Sequence, residues 1–209
     1  MLRQSASKRR DPLRIRTASQ LSAARRARAD GATEPQVRVD TAFGQLVIGV
    51  FTSRAPRTAA NFLRYVDGRH LDGCSIYRIV TPENQYPPPP VSTSVVQWGM
   101  GLGELSSPLF PPVAHEPTSI TGLTHCDGAV SLARFAPGTG SSEFFFCLGD
   151  QPQLDFGGRR NTDGAGFAVF GQVVSGGAVL AAIYARAESN HLLRRPIPIR
   201  EVSRLAVSP

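Results

Sequence analysis

The stretch that decides the fold is Ala133-Arg134-Phe135-Ala136-Pro137-Gly138-Thr139-Gly140-Ser141-Ser142-Glu143-Phe144-Phe145-Phe146. Its Pro137, Gly138 and Gly140 interrupt regular structure, and an aromatic run then resumes. The spacing predicts strands at residues 129–134 and 143–148, joined by a Gly/Ser-rich loop. Working outward, further short strands are predicted at residues 75–80, 94–98 and 167–174, with a closing strand at 197–207. Before them, Val37, Val39 and Thr41 alternate, Gly44 follows, and residues 45–51 continue as a second strand. Pro56 opens a helix at the position where its missing N–H costs nothing. Ala59, Phe62, Leu63 and Val66 then recur at helical spacing until Gly68. A second helix is predicted at 178–187, with Val179, Ile183 and Ala187 on one face. Many short strands and few helices define a mainly β domain, a barrel or sandwich. No internal repeat is visible.

Bulk properties narrow the function classes. The 209 residues, 41% of them hydrophobic, suit one globular domain plus a tail. The formal charge of +7 is unevenly spread. Residues 1–29 hold nine of the 23 basic residues and only Asp11 of the acids, while the remainder balances 14 basic against 15 acidic groups. The body is therefore near neutral, which argues against a nucleic-acid-binding domain. Residues 1–34 are polar, basic and aperiodic and are expected to form a disordered tail, with the folded domain spanning 35–209. The Arg-rich tail superficially resembles an organelle transit peptide, and contact with nucleic acid or anionic lipid is a further option for it. A solvated extension is the plainer reading.

Cys74, Cys126 and Cys147 lack CxxC spacing, and three cysteines leave at least one unpaired, so no disulfide framework is expected. The longest apolar run, Leu46 to Phe51, is strand-sized, so no transmembrane segment is expected. The start of the chain shows no secretory signal, which favours a cytoplasmic location without fixing the compartment.

Four motifs, in order, resemble the cyclophilin family of peptidyl-prolyl cis-trans isomerases. The 133–146 segment is similar to the family's strand, Gly/Ser loop and Ser-Gln-Phe-Phe strand, without gaps. Phe167-Ala168-Val169-Phe170-Gly171-Gln172-Val173 looks like its Val-Phe-Gly-Lys-Val strand. Arg54-Ala55-Pro56-Arg57-Thr58-Ala59-Ala60-Asn61-Phe62 resembles its first helix, and Tyr77-Arg78-Ile79-Val80 its Phe-His-Arg-Ile/Val. The matches span roughly residues 36–207. The resemblance implies a closed eight-stranded β-barrel capped by two α-helices. It further implies a monomeric enzyme that needs no cofactor or metal and acts on proline-containing polypeptides. A catalytically weak prolyl-peptide binding module is the alternative.

The implied chemistry is conformational. Rotation about an X–Pro bond faces a barrier of about 18–20 kcal/mol from amide resonance. A charged donor near the prolyl nitrogen weakens that resonance, while an apolar pocket holds the ring. By resemblance, Arg78 is the catalytic guanidinium and Gln97 the glutamine that orients it. Phe145 forms the floor of the proline pocket and Leu154 its wall. Ala133 and Arg134 offer backbone groups to the residue before proline, and Phe167 lies at the rim. Without the motif, Arg78 reads as a surface arginine on an edge strand.

Departures from the family pattern cluster in this same set. Tyr77 replaces a histidine beside the arginine. Ser94 replaces a pocket aromatic. Glu143 replaces a glutamine and is expected to contact substrate and to be able to pair with Arg78. Gln153 replaces an aromatic, which argues against tight binding of cyclosporin-like ligands. Residues 82–91, with four prolines from Pro87 to Pro90, insert a loop between Arg78 and Gln97. Trp98 either supplies lost aromatic surface or belongs to the core.

Other signals are weaker. Gly99-Met100-Gly101-Leu102-Gly103 lacks the strand-to-helix context and lysine of a phosphate loop. Ser141 and Ser142 form no nucleophile elbow. His115-Glu116 and His125-Cys126 match no standard metal spacing, and structural roles are expected. The Pro87–Pro90 run is an option for an aromatic-grooved partner, with a stiff loop the plainer reading.

Overall fold

The computed structural model describes residues 34–101 and 109–206. The expected tail lies outside these residues except for Glu34, as do Leu102 and Gly103 of the glycine-rich stretch and Val207 of the expected last strand. Glu34 accepts hydrogen bonds from Thr52 N–H and Oγ1, both 2.7 Å, and from Ser53 Oγ at 2.8 Å.

Eight strands close into an antiparallel barrel: β1 (Gln36–Thr41), β2 (Gly44–Val50), β3 (Ser75–Val80), β4 (Val95–Gly99), β5 (Ala129–Leu132), β6 (Glu143–Cys147), β7 (Ala168–Ser175) and β8 (Leu192–Arg204). Their order around the barrel is β1-β2-β7-β5-β6-β4-β3-β8. Closure leaves no unpaired sheet edge. The predicted strands are all present, with ends shifted by up to two residues, except that β8 spans Leu192–Arg204 rather than 197–207. Arg194-Arg195-Pro196 has loop composition, but β3 pairs across it, with Ile76 opposite Ile197 and Arg78 opposite Leu192.

Both predicted helices form, α1 (Pro56–Asp67) and α3 (Gly177–Tyr184). A third, single-turn helix α2 (Thr118–Thr121) was not expected from the sequence. It is too short to show helical periodicity. Leu180 and Ile183 are the fully buried residues of α3, with Val179, Tyr184 and Ala187 packed beside them.

Alternation along β6 divides its aromatics between two faces. Phe144 and Phe146 point inward, where Phe62 of α1 meets Phe144 edge-on at 5.1 Å between centroids. Trp98 stacks on Phe146 at 5.6 Å and is fully buried, so it belongs to the core. Phe145 takes the opposite face, and the candidate site is built there.

The N-terminus of α1 has no local side-chain cap. The buried Glu116, from a distant loop, supplies one. Its carboxylate accepts from Arg57 N–H at 3.1 Å and from Thr58 N–H and Oγ1 at 2.7 and 2.6 Å. Negative charge suits the helix's positive end, and the three donors satisfy a carboxylate that would otherwise be costly to bury.

Candidate active site

A single ladder row crosses four adjacent strands. Arg78 of β3 is opposite Gln97 of β4, Gln97 opposite Phe145 of β6, and Phe145 opposite Ser131 of β5. Residues directly opposite in an antiparallel pair project to the same face. The sheet thus sets a guanidinium, an amide and an aromatic ring side by side.

At β3 the pairing slips between Ile76 and Arg78, leaving Tyr77 as the extra residue. This β-bulge breaks the alternation that would send Tyr77 and Arg78 to opposite faces. Both side chains therefore enter one hydrogen-bond chain. Arg78 Nη1 donates to Gln97 Oε1 at 2.8 Å, and Gln97 Nε2 donates to the Tyr77 hydroxyl at 2.7 Å. The hydroxyl donates to Glu143 Oε2 at 2.6 Å. Glu143 Oε1 accepts from Gly101 N–H at 3.0 Å and Ser142 Oγ at 3.2 Å. Glu143 therefore bonds Tyr77 rather than Arg78, the pairing its charge left open. The bulge puts Tyr77 within its reach, and among the described residues Arg78 is joined to it through Gln97 and Tyr77.

A carboxylate only accepts, which fixes the direction of every bond back to Arg78. Burial pushes the Glu143 carboxyl above its ordinary value, against the pull of its hydrogen bonds. Burial, and then Glu143, push the Tyr77 phenol far above its usual range. Burial also lowers Arg78, helped by the charge of Arg160. A guanidinium nevertheless stays charged. Gly99 closes the corner beneath Glu143 with φ +146°. A Cβ there would press on the Ser142 carbonyl and lie 2.6 Å from Glu143 Oε2. Only glycine suits that conformation and that gap.

The apolar part of the site lies beside this chain. Phe145 is 4% exposed and Leu154 3%. Phe167 meets Phe145 edge-on at 5.3 Å, and its N–H donates to the Leu154 carbonyl at 2.9 Å. The structure thus brings together Tyr77, Arg78, Gln97, Glu143, Phe145, Leu154 and Phe167. Ala133 closes the adjoining loop, but its N–H is taken by the Glu143 carbonyl at 2.8 Å, leaving its carbonyl for any peptide contact. The Arg134 side chain binds Asp163 at 2.7 and 2.9 Å, donates to the Gly166 carbonyl at 2.8 Å, and lies 5.2 Å over the Phe167 ring. It is a brace for the rim.

The structural role expected of His125 takes a form that the sequence did not show, a support under the pocket. His125 stacks on Phe145 at 6.0 Å with the rings 8° apart. Its Nδ1 lies 2.7 Å from Asp155 Oδ1 and its Nε2 3.0 Å from Ser131 Oγ. The carboxylate requires the proton on Nδ1, so Nε2 accepts from Ser131. Burial lowers the imidazole's proton affinity, against the opposing pull of Asp155. The order Ser-His-Asp is that of a hydrolase, but Ser131 is wholly buried, so the group is structural. Its signal in the sequence was a lone histidine, with no pattern pointing to Asp155.

The structure also places the other residues singled out in the sequence. Gln153 Nε2 donates to the Ser92 carbonyl at 2.7 Å and so ties down the proline-rich loop. The Ser94 N–H donates to Gln151 Oε1 at 3.0 Å. His115 Nε2 contacts the Ala165 carbonyl at 3.1 Å. Ser141 Oγ donates its one hydrogen to the Phe110 carbonyl at 2.9 Å and so accepts from the Tyr65 hydroxyl at 2.9 Å. All three cysteines are free thiols.

Comparison with known proteins agrees with this geometry. Residues 36–204 match the family model for cyclophilin type peptidyl-prolyl cis-trans isomerases. The chain is 26% identical over 168 residues to the peptidyl-prolyl cis-trans isomerase cyp18 of Streptomyces antibioticus, covering 79% of this chain and 93% of that protein. It is 29% identical over 142 residues to the peptidyl-prolyl cis-trans isomerase-like 3 of Mus musculus, covering 67% and 76%. A crystal structure of a Cryptosporidium parvum cyclophilin type isomerase superposes with a TM-score of 0.67 at 19% identity, over 84% of this chain and 99% of that one. The chain belongs to the cyclophilin-type peptidyl-prolyl cis-trans isomerases, an enzyme family. Among the described residues, no helix is long and apolar enough to cross a membrane.

Proposed function

We propose that this chain accelerates rotation about Xaa-Pro bonds of polypeptides, with Arg78 as its catalytic group and Gln97 as the residue that aims it. The observation that carries this reading is the ladder row Arg78, Gln97, Phe145, with Arg78 bonded to Gln97 at 2.8 Å. The ring of a bound proline rests on Phe145 between Leu154 and Phe167. The Arg78 guanidinium then faces the amide, where a donor to the prolyl nitrogen withdraws the lone pair from resonance. Each tenfold in rate requires about 1.4 kcal/mol of such transition-state stabilisation. Tyr77 and Glu143 hold the amide of Gln97 in the orientation that accepts from Arg78. Ala133 and Arg134 border the segment before the proline.

The near-neutral body supports recognition of peptide through shape and apolar contact rather than of nucleic acid. The test is a titration of 15N-labelled protein with an Ala-Pro-containing peptide. The Gln97 side-chain amide and the backbone of Phe145, Leu154 and Phe167 should shift together. A peptide with glycine in place of proline should leave them unmoved. Shifts elsewhere, with this set silent, would contradict the assignment.

A further inference from the structure

Two arginines stand at the site, and neither meets a carboxylate among the described residues. Arg78 uses one N–H on Gln97 and forms no ion pair among the described residues. Arg160 is held at the pocket wall, its N–H donating to the Gln153 carbonyl at 3.1 Å, one residue from Leu154. Gly158 makes this close approach possible, since a Cβ there would lie 2.6 Å from the Gln153 carbonyl carbon. The Arg160 side chain is half-buried and has no carboxylate partner among the described residues. His191 lies beside them, its backbone carbonyl accepting from Ile79 N–H at 2.8 Å. These groups feel one another. The charge of Arg160 depresses Arg78, and both arginines depress His191 after its own burial does.

Among the described residues, the nearby acids are occupied. Glu143 is held by Tyr77, Gly101 and Ser142, Asp155 by His125, and Asp163 by Arg134. Gathering half-buried guanidiniums without a counter-charge is costly unless a ligand supplies one. The planar fork of arginine suits a carboxylate or a phosphate equally.

We propose that Arg160, together with Arg78, forms an anion subsite beside the proline pocket, selecting prolines flanked by an acidic side chain. The ligand chemistry is a carboxylate or a phosphate ester on the residue next to the proline. This inference rests on the isomerase reading, and the experiment separates the two.

The measurement is kcat/KM by NMR exchange on one peptide series, with Ala, Glu, Lys or phosphoserine before the proline, and with Glu after it. The wild type should favour Glu or phosphoserine over Ala by about fivefold to tenfold at low salt and disfavour Lys. In Arg160→Ala the ratio of Glu to Ala should fall to about one, and Arg160→Lys should keep part of it. Because a ratio is read, a partly unfolded variant does not mimic the result. Phosphoserine well above Glu assigns phosphate as the natural anion, and parity assigns carboxylate. Equal rates for every peptide of the series in the wild type, the one with Glu after the proline included, or a preference that survives Arg160→Ala, overturn the subsite. If no peptide is accelerated, the isomerase reading fails instead. Dissociation constants of the same peptides then decide the subsite alone, by the same ratios.

Discussion

The Tyr77 hydroxyl donates to Glu143 Oε2 at 2.6 Å, and these are the two residues that stand where the family pattern has a histidine and a glutamine. The substitutions are therefore physically coupled. The phenol delivers a hydrogen to the carboxylate and accepts one from Gln97 at 2.7 Å. The result is a one-way chain that runs from the guanidinium to the carboxylate. Removing either end leaves a buried polar group without its partner, which typically costs about 1–3 kcal/mol.

Tyr77→Phe removes the central link and should lower kcat/KM by about tenfold, with the loss mainly in kcat. Glu143→Gln keeps an acceptor but frees the direction of the chain, and a loss of about twofold to threefold is expected. Steady-state exchange rates on an Ala-Pro peptide check both. Equal, wild-type-like rates would show that the chain does not position Arg78.

Glu116→Ala should destabilise the fold by about 2–3 kcal/mol, because three donors at the start of α1 lose their acceptor. Urea unfolding at neutral pH measures this. A change under about 0.5 kcal/mol would mean that water replaces the carboxylate without cost.

His125 makes stability depend on pH. Its folded-state pKa lies below 6.5, so between the two values the unfolded chain binds the extra proton. Stability is then full above 6.5 and falls as pH drops through that value, by up to about 1.4 kcal/mol per unit. The loss levels off below the folded-state pKa. His125→Gln should flatten the wild-type slope between pH 7 and 5. His191 shifts in the same direction but is present in both proteins, so the difference isolates His125. Parallel curves would contradict the assignment.

Arg134→Ala should loosen the rim without touching the catalytic pair. The residue anchors Asp163, whose carboxyl it draws down to about 2, and it covers Phe167. The expected outcome is a KM raised about threefold to fivefold with kcat nearly constant, consistent with loss of a charge-assisted pair at a partly exposed position. A fall in kcat alone would place Arg134 nearer the chemistry.

The strands were legible because their alternation and their Gly/Pro boundaries are local. The motifs carried Arg78, Gln97 and Phe145, and the ladder sets them in one row. What escaped was set by distant partners. The bulge at Tyr77 depends on how β3 pairs with β4 and β8, so the chain alone gave no sign that Glu143 would meet Tyr77 rather than Arg78. Glu116 caps a helix 58 residues away, and His125 meets Asp155 across 30 residues. The first five residues of β8 look like a loop because two arginines and a proline lie among them, yet the strand persists as the partner of β3.

The most direct test of the account is exchange NMR on an Ala-Pro peptide with wild type and Arg78→Ala. The account predicts clear acceleration by the wild type and a loss of at least about a hundredfold in the variant, with both spectra folded. Acceleration that survives in Arg78→Ala, or its absence in a folded wild type, would contradict the central claim.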